Sequence, residues 1–152
     1  MVKLYIPKKR YLVKNQYDLV DQEGHLVFRH HSNFFRTKRF IVNSDNEVIL
    51  NSNMFFGLRE KHVITRKNEF IAFVSYKSIL GKEILISKEG FKVNINKIME
   101  FAILRNQEEV LRISKSDRNG FSYMVIVKEE MMNFLIMVTF TIIVMLDRLS
   151  PF

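Results

Sequence analysis

The sequence predicts an all-β fold with one central helix: a roughly twelve-stranded antiparallel β-barrel enclosing a hydrophobic C-terminal α-helix. Three observations predict it. Short apolar runs alternate with polar turns at near-regular spacing through most of the chain. Within several runs, apolar residues recur at every second position, as strands require. The chain then changes character and closes with "MMNFLIMVTFTIIVMLDR", Met131 to Arg148, which is longer than a typical strand and apolar all round. With 152 residues, no linker and no composition break before Lys128, we expect one domain over 1–152. Strands occupy about 3–128 and the helix about 130–147.

The hairpins come first. "YDLVDQEGHLVF" places a polar turn at Asp21–Gly24 between two apolar runs. "FIVNSDNEVIL" repeats the unit around Ser44–Glu47, and "ILRNQEEVLRI" again around Asn106–Glu109. Asp, Asn and Gly tolerate turn dihedrals and bond their own backbone. In "FKVNINKI", Phe91, Val93 and Ile95 share one face. In "FSYMVIVK", Phe121, Tyr123, Val125 and Val127 do the same. "FIAFVS" is apolar on both faces, as a deeply buried strand would be. Such a set of strands suits a sandwich or a barrel.

The terminal stretch has two readings. From Met131 to Leu146 its only polar side chains are Asn133, Thr139 and Thr141. As a helix those residues reach about 24 Å, against the ~30 Å hydrocarbon core of a bilayer. A tail anchor would need local thinning of the membrane. Glu129 and Glu130 suit the positive end of a helix, Arg148 the negative end, and Pro151 lies beyond the stop. A barrel of about twelve strands is wide enough to enclose such a helix. The helix would then be the largest contributor to the core.

Composition narrows the function. With no Cys, disulfides and thiolate chemistry are excluded, which fits a reducing compartment. Lys and Arg number 24 against 16 Asp and Glu, a net +8 that favours anionic partners. The N-terminal "MVKLYIPKKRYLVKN" has no apolar core of signal-peptide length, so secretion by that route is not expected.

Along most of its length the chain resembles the tubby C-terminal-like superfamily, in its bacterial branch of LURP-one-related and phospholipid-scramblase-like proteins. The residues that carry the resemblance are "YDLVDQEGHLVFRHHSNFF" (17–35), "FIVNSDNEVIL", "IAFV" (71–74) and "YMVIVKEEMMNFLIMVTFTIIVMLDR" with its terminal Asp-Arg. The resemblance implies a twelve-stranded barrel around a central C-terminal helix. It departs from the family pattern at the first turn, which reads "QEG", and at the second, which has Asn46 where Gly is common. Tubby itself binds phosphoinositide headgroups through basic residues, so the resemblance implies a ligand class and assigns no residue.

The candidate anionic-lipid-binding residues are therefore the basic clusters: Lys8, Lys9 and Arg10; Arg36, Lys38 and Arg39; and Arg59, Lys61, Arg66 and Lys67. Clustered cations draw anionic lipid at about 1 kcal/mol per charge near the surface. Scattered, solvated charge is the competing account. Phe34, Phe35, Phe55 and Phe56 lie near these cations and could stack bases. They are read instead as barrel-core or loop-anchoring residues, and no nucleic-acid motif accompanies them.

His30 and His31 are adjacent and face opposite ways in a strand, so no metal site is expected. The Glu108/Glu109 pair falls in a turn and Glu129/Glu130 at a helix start, which accounts for both without acid–base chemistry. No catalytic residue and no cofactor is expected. The expected function is a non-enzymatic module binding anionic membrane lipid, or a protein partner, at the cytoplasmic face of the membrane. Its expected location is the cytoplasm, peripheral to the inner membrane face. The alternatives are a tail-anchored protein spanning the bilayer with residues 131–146 and a scramblase-like lipid transporter.

Overall fold

The computed structural model describes residues 1–8, 15–77 and 83–149, Leu149 for its backbone alone. The strands are β1 (Val2–Pro7), β2 (Gln16–Val20), β3 (Leu26–Ser32), β4 (Lys38–Val42), β5 (Val48–Phe55) and β6 (Lys61–Arg66), then β7 (Glu69–Tyr76), β8 (Ile84–Ile86), β9 (Phe91–Lys97), β10 (Glu100–Arg105), β11 (Glu108–Lys115) and β12 (Phe121–Val127). A 3-10 turn at Glu129–Met131 leads into the helix α1 (Met132–Leu149). Every strand pairing is antiparallel, in the order β8-β7-β6-β5-β4-β3-β2-β1-β12-β11-β10-β9. The sheet curls until its outer strands β8 and β9 meet, giving a nearly closed barrel with α1 inside.

Turn chemistry sets the hairpins. Asp21 Oδ1 accepts hydrogen bonds from the amides of Glu23 and His25, both at 2.9 Å. Asn43 Oδ1 does the same for Asp45 and Glu47, at 3.0 and 2.9 Å. Asn46 adopts φ 63°, the left-handed conformation that Asn tolerates and most side chains avoid. The Asn for Gly departure at this turn is therefore accommodated. Lys67-Asn68 and Asn106-Gln107 are two-residue turns with both φ values positive, as tight hairpins require.

That tight turn corrects one expectation. It occupies Asn106 and Gln107, so Glu108 and Glu109 belong to β11 and not to the turn. Glu109 Oε1 accepts from Arg112 Nε at 2.6 Å, and Glu108 pairs with Lys128. Two further expectations change for one reason, the position of a residue in its strand. Ile95 is partly exposed because β9 is an edge strand, while Phe91 and Val93 still pack against the core. "FIAFVS" is fully buried on one face only: Ala72 and Val74 point inward, Ile71 and Phe73 on the other face are half-buried, and Phe70, at the open end of β7, is exposed.

The helix fills the lumen. Every residue from Leu135 to Leu146 is buried. The facing side chains are the inward residues of the strands, among them Leu4, Leu19, Phe28, Ile41, Ile64, Ile103 and Leu111. The two threonines of the apolar run bond their own helix: Thr139 Oγ1 donates to Leu135 O at 2.7 Å and Thr141 Oγ1 to Met137 O at 2.8 Å. Asn133, the other polar residue, is exposed. Tyr76 Oη donates to Met145 O at 2.8 Å, tying β7 to the last turns of the helix. Burial pushes the Tyr76 phenol up to about 12. By length and composition alone this helix could cross a membrane, yet its apolar surface is enclosed by the sheet.

Candidate functional site

One feature inside the barrel runs against its apolar character. Arg39, on β4, is 1% exposed. It shares its face with Ile41, two residues on, so the alternation that buries one buries the other. Around it the inward positions of neighbouring strands are polar: His30 on β3, Ser52 on β5 and His62 on β6. Arg39 Nη2 donates to Thr141 Oγ1 at 2.6 Å and Ser52 Oγ at 2.7 Å. It also lies 3.3 Å from His62 Nδ1, and Nη1 lies 3.2 Å from His30 Nε2.

A guanidinium can only donate, so both imidazole nitrogens must accept. Both histidines are therefore neutral. His62 then carries its proton on Nε2, which donates to Glu60 Oε1 at 3.1 Å. Burial holds His30 well below the ordinary imidazole value and lowers His62 as well, in agreement with this assignment. Burial also lowers Arg39, to about 9, so it remains a cation at neutral pH. Its nearest anion on this path, Glu60, is reached through one histidine.

Glu60 leads to the surface. It lies 3.1 Å from Arg148 Nε, at the end of α1. Arg148 Nη2 also donates to Phe35 O at 2.6 Å, and its neighbour Asp147 accepts from Arg36 Nη1 at 2.7 Å. The last turn of the helix thus grips the β3–β4 loop (33–37) and the β5–β6 loop (56–60) together. Asn33 Oδ1 tightens the first loop by accepting from Thr37 N at 2.8 Å and Lys38 N at 3.2 Å. Arg59 Nη1 ties the second to Tyr76 O at 2.9 Å and Lys77 O at 2.6 Å. On these held backbones Phe34, Phe35, Phe55, Phe56 and Leu58 are exposed. The barrel-core and loop-anchoring reading of the four phenylalanines is therefore wrong: loop tips at an open barrel end leave their side chains in solvent.

The basic candidates separate into groups. Lys8, Arg36, Lys38, Arg59 and Lys61 sit at the barrel end where the helix finishes. Arg66 and Lys67 sit at the opposite end, because β6 runs from Lys61 to Arg66 across the barrel. They border a cavity of about 440 Å³ at the helix start (Arg66, with Arg105, Glu129 and Glu130) and one of about 540 Å³ beside it (both residues). Arg39 is withdrawn as a surface contact, because its inward strand parity encloses it. Lys9 and Arg10 lie outside the described residues.

Among the described residues, the one grouping with metal-ligand spacing is Asp21, Glu23 and His25. It is accounted for by the turn that Asp21 organises, and hydrogen bonds from the backbone of that turn lower the Asp21 carboxyl. The polar cluster around Arg39 went unread in the sequence. Its signal was a lone basic residue at core parity, with two histidines and a serine at inward positions of adjacent strands.

Fold and site together define a class: an antiparallel barrel threaded by an apolar helix whose last turn organises two aromatic-tipped, cation-bearing loops. The chain is similar in fold to an X-ray structure of a protein from Arabidopsis thaliana, AT5G01750, with a TM-score of 0.61 at 12% identity, covering 97% of this chain and 90% of that one. No family model matches the chain, and no curated protein matches it in sequence.

Proposed function

We propose that this protein is a non-enzymatic, peripheral membrane module of the LURP-one-related, scramblase-like branch of tubby-like barrels. It binds anionic lipid at the cytoplasmic face. The observation that carries this reading is the gathering of Lys8, Arg36, Lys38, Arg59 and Lys61 at the barrel end where the helix finishes. In sequence they belong to three separate clusters. Each basic residue near an anionic leaflet contributes about 1 kcal/mol, and the attraction falls off within a Debye length.

The test is sedimentation with phosphatidylcholine vesicles, with and without phosphatidylserine, at low and high salt. Binding to the anionic vesicles alone, weakened by salt, is expected. Equal binding to both vesicle types overturns the reading. A K38E/K61E variant, altered at two exposed or half-exposed positions, should lose most of that binding while keeping the wild-type melting temperature.

The helix, long and apolar enough to span a membrane, favours a second reading, the tail anchor. That state would have to withdraw α1 from the barrel and leave Arg39 without Thr141. Alkaline carbonate separates the two: a peripheral protein is released and a spanning one stays in the pellet.

A further inference from the structure

Resting on that reading, we infer that the β3–β4 and β5–β6 loops form a preorganised insertion device for an anionic bilayer. Phe34, Phe35, Phe56 and Leu58 enter the interfacial layer, while Lys38, Arg59 and Lys61 meet the headgroups.

The two loops are neighbours because β4 pairs with β5, and Met54 N donates to Thr37 O at 2.7 Å just below their tips. Phe34 is 80% exposed, Phe56 78% and Leu58 84%. Together with Phe35 and Phe55 they present apolar surface on the order of 500 Å², as much as the largest patch of a typical soluble monomer. Phe34 and Phe35 hold each other edge to face at 5.1 Å. An open groove of about 640 Å³ continues the apolar surface down the barrel wall, past Phe73 and Leu85, with Arg59 and Lys61 among its lining.

A mobile loop with greasy side chains would fold them back onto the protein. These loops are held instead. Asn33, Arg148, Arg36 and Arg59 secure them from below, so the aromatic tips stay outward at little cost in ordering when they bind.

Charge selects the occupant. The single acid in residues 33–38 and 55–61 is Glu60, and its carboxylate is engaged by His62 and Arg148. Asp147, beneath the loops at the end of α1, is likewise engaged by Arg36, so both acids brought to the loops are paired while Lys38, Arg59 and Lys61 border the apolar tips. The Lys61 ammonium lies 3.9 Å over the Phe73 ring, placing a cation on the aromatic wall of the groove. Aromatic tips bordered by cations match the two layers of an anionic membrane surface.

The chain has no Trp, so Phe56→Trp makes a unique fluorescent reporter. Phe70→Trp, at an exposed position on the opposite barrel end, is its control. Both are mixed with phosphatidylcholine–phosphatidylserine vesicles, with and without brominated acyl chains. The Phe56→Trp emission is expected to shift to the blue and be quenched by bromine, while Phe70→Trp stays unchanged. An F34S/F56S variant should partition at least about tenfold more weakly, with unaltered unfolding and mass in solution. If the variant does not fold, the quenching of Phe56→Trp decides alone.

Wild-type binding with an unquenched Phe56→Trp and an F34S/F56S variant of full affinity overturns the inference and leaves the lipid-binding reading standing. Absence of any vesicle binding by the wild-type protein overturns both. A blue-shifted Phe56→Trp in a lipid-free dimer also overturns the inference, because the loops would then cover a second copy of the chain.

Discussion

Replacing Ile142 by Ala tests the enclosure of the helix with the least chemical disturbance. Ile142 is fully buried and lies in the same apolar cluster as inward residues of the strands. The change removes three carbons, and at about 0.8 kcal/mol per buried methylene the lost transfer energy is about 2.4 kcal/mol. The surrounding sheet is hydrogen-bonded on both sides of each inner strand and cannot collapse freely. A cavity contribution therefore brings the cost to about 3.5 kcal/mol, within the range for such substitutions. For a domain of this size each kcal/mol moves the melting temperature by about 3 °C, so Tm should fall by roughly 10 °C.

The assay is thermal and urea unfolding of detergent-free protein, followed by circular dichroism. The urea m-value should remain unchanged, because the same surface is exposed on unfolding. Were the helix a tether outside the folded body, losing three carbons from it would leave the barrel's Tm where it was. A shift below about 1 °C would refute the enclosure and the core argument with it.

Leu135→Asp buries an uncompensated carboxylate at a fully enclosed site, so the variant should be recovered in inclusion bodies; a soluble, cooperatively folding form contradicts the fold. The chain ended at Glu130 should fail in the same way, since the barrel loses its filling. Tyr76→Phe removes the hydrogen bond to Met145 O and should cost about 1–2 kcal/mol in urea titrations, whereas an unchanged midpoint would show that this bond between β7 and the helix adds nothing to stability. His30 and His62 are held below the ordinary imidazole value, so the unfolded chain takes up protons that the native state refuses. Stability from these residues is present above about pH 6.5 and is lost as pH falls below it; a urea midpoint that is the same at about pH 7.5 and about pH 5.5 would contradict the neutral-histidine assignment.

The local devices of this fold were legible because they are local. Asp21 and Asn43 each precede an apolar run and cap their own turns, so a repeated hairpin could be read from adjacent residues. The length and evenness of Met131–Leu146 marked a helix that needed covering on all sides, and α1 follows it closely. Errors arose where a side chain's fate depends on the place of its strand or loop in the whole. Phe34 and Phe56 carry the composition of a core residue, but they stand on loop tips past the last ladder hydrogen bond. Arg39 carries the composition of a surface residue, but its parity with Ile41 sends it inward.

Alternation, turn chemistry and an unbroken apolar run are properties of neighbouring residues, and from them the sequence alone determined a series of antiparallel hairpins and a C-terminal helix that must be covered on all sides. Pairing between distant segments decided the rest. It brought His30, Ser52, His62 and Thr141 around one arginine, and it set Asp147 and Arg148 beneath two loops more than a hundred and about ninety residues earlier in the chain. Strand register and barrel closure are collective: a contact exists only when every intervening strand is in place, and no short stretch of sequence carries that information.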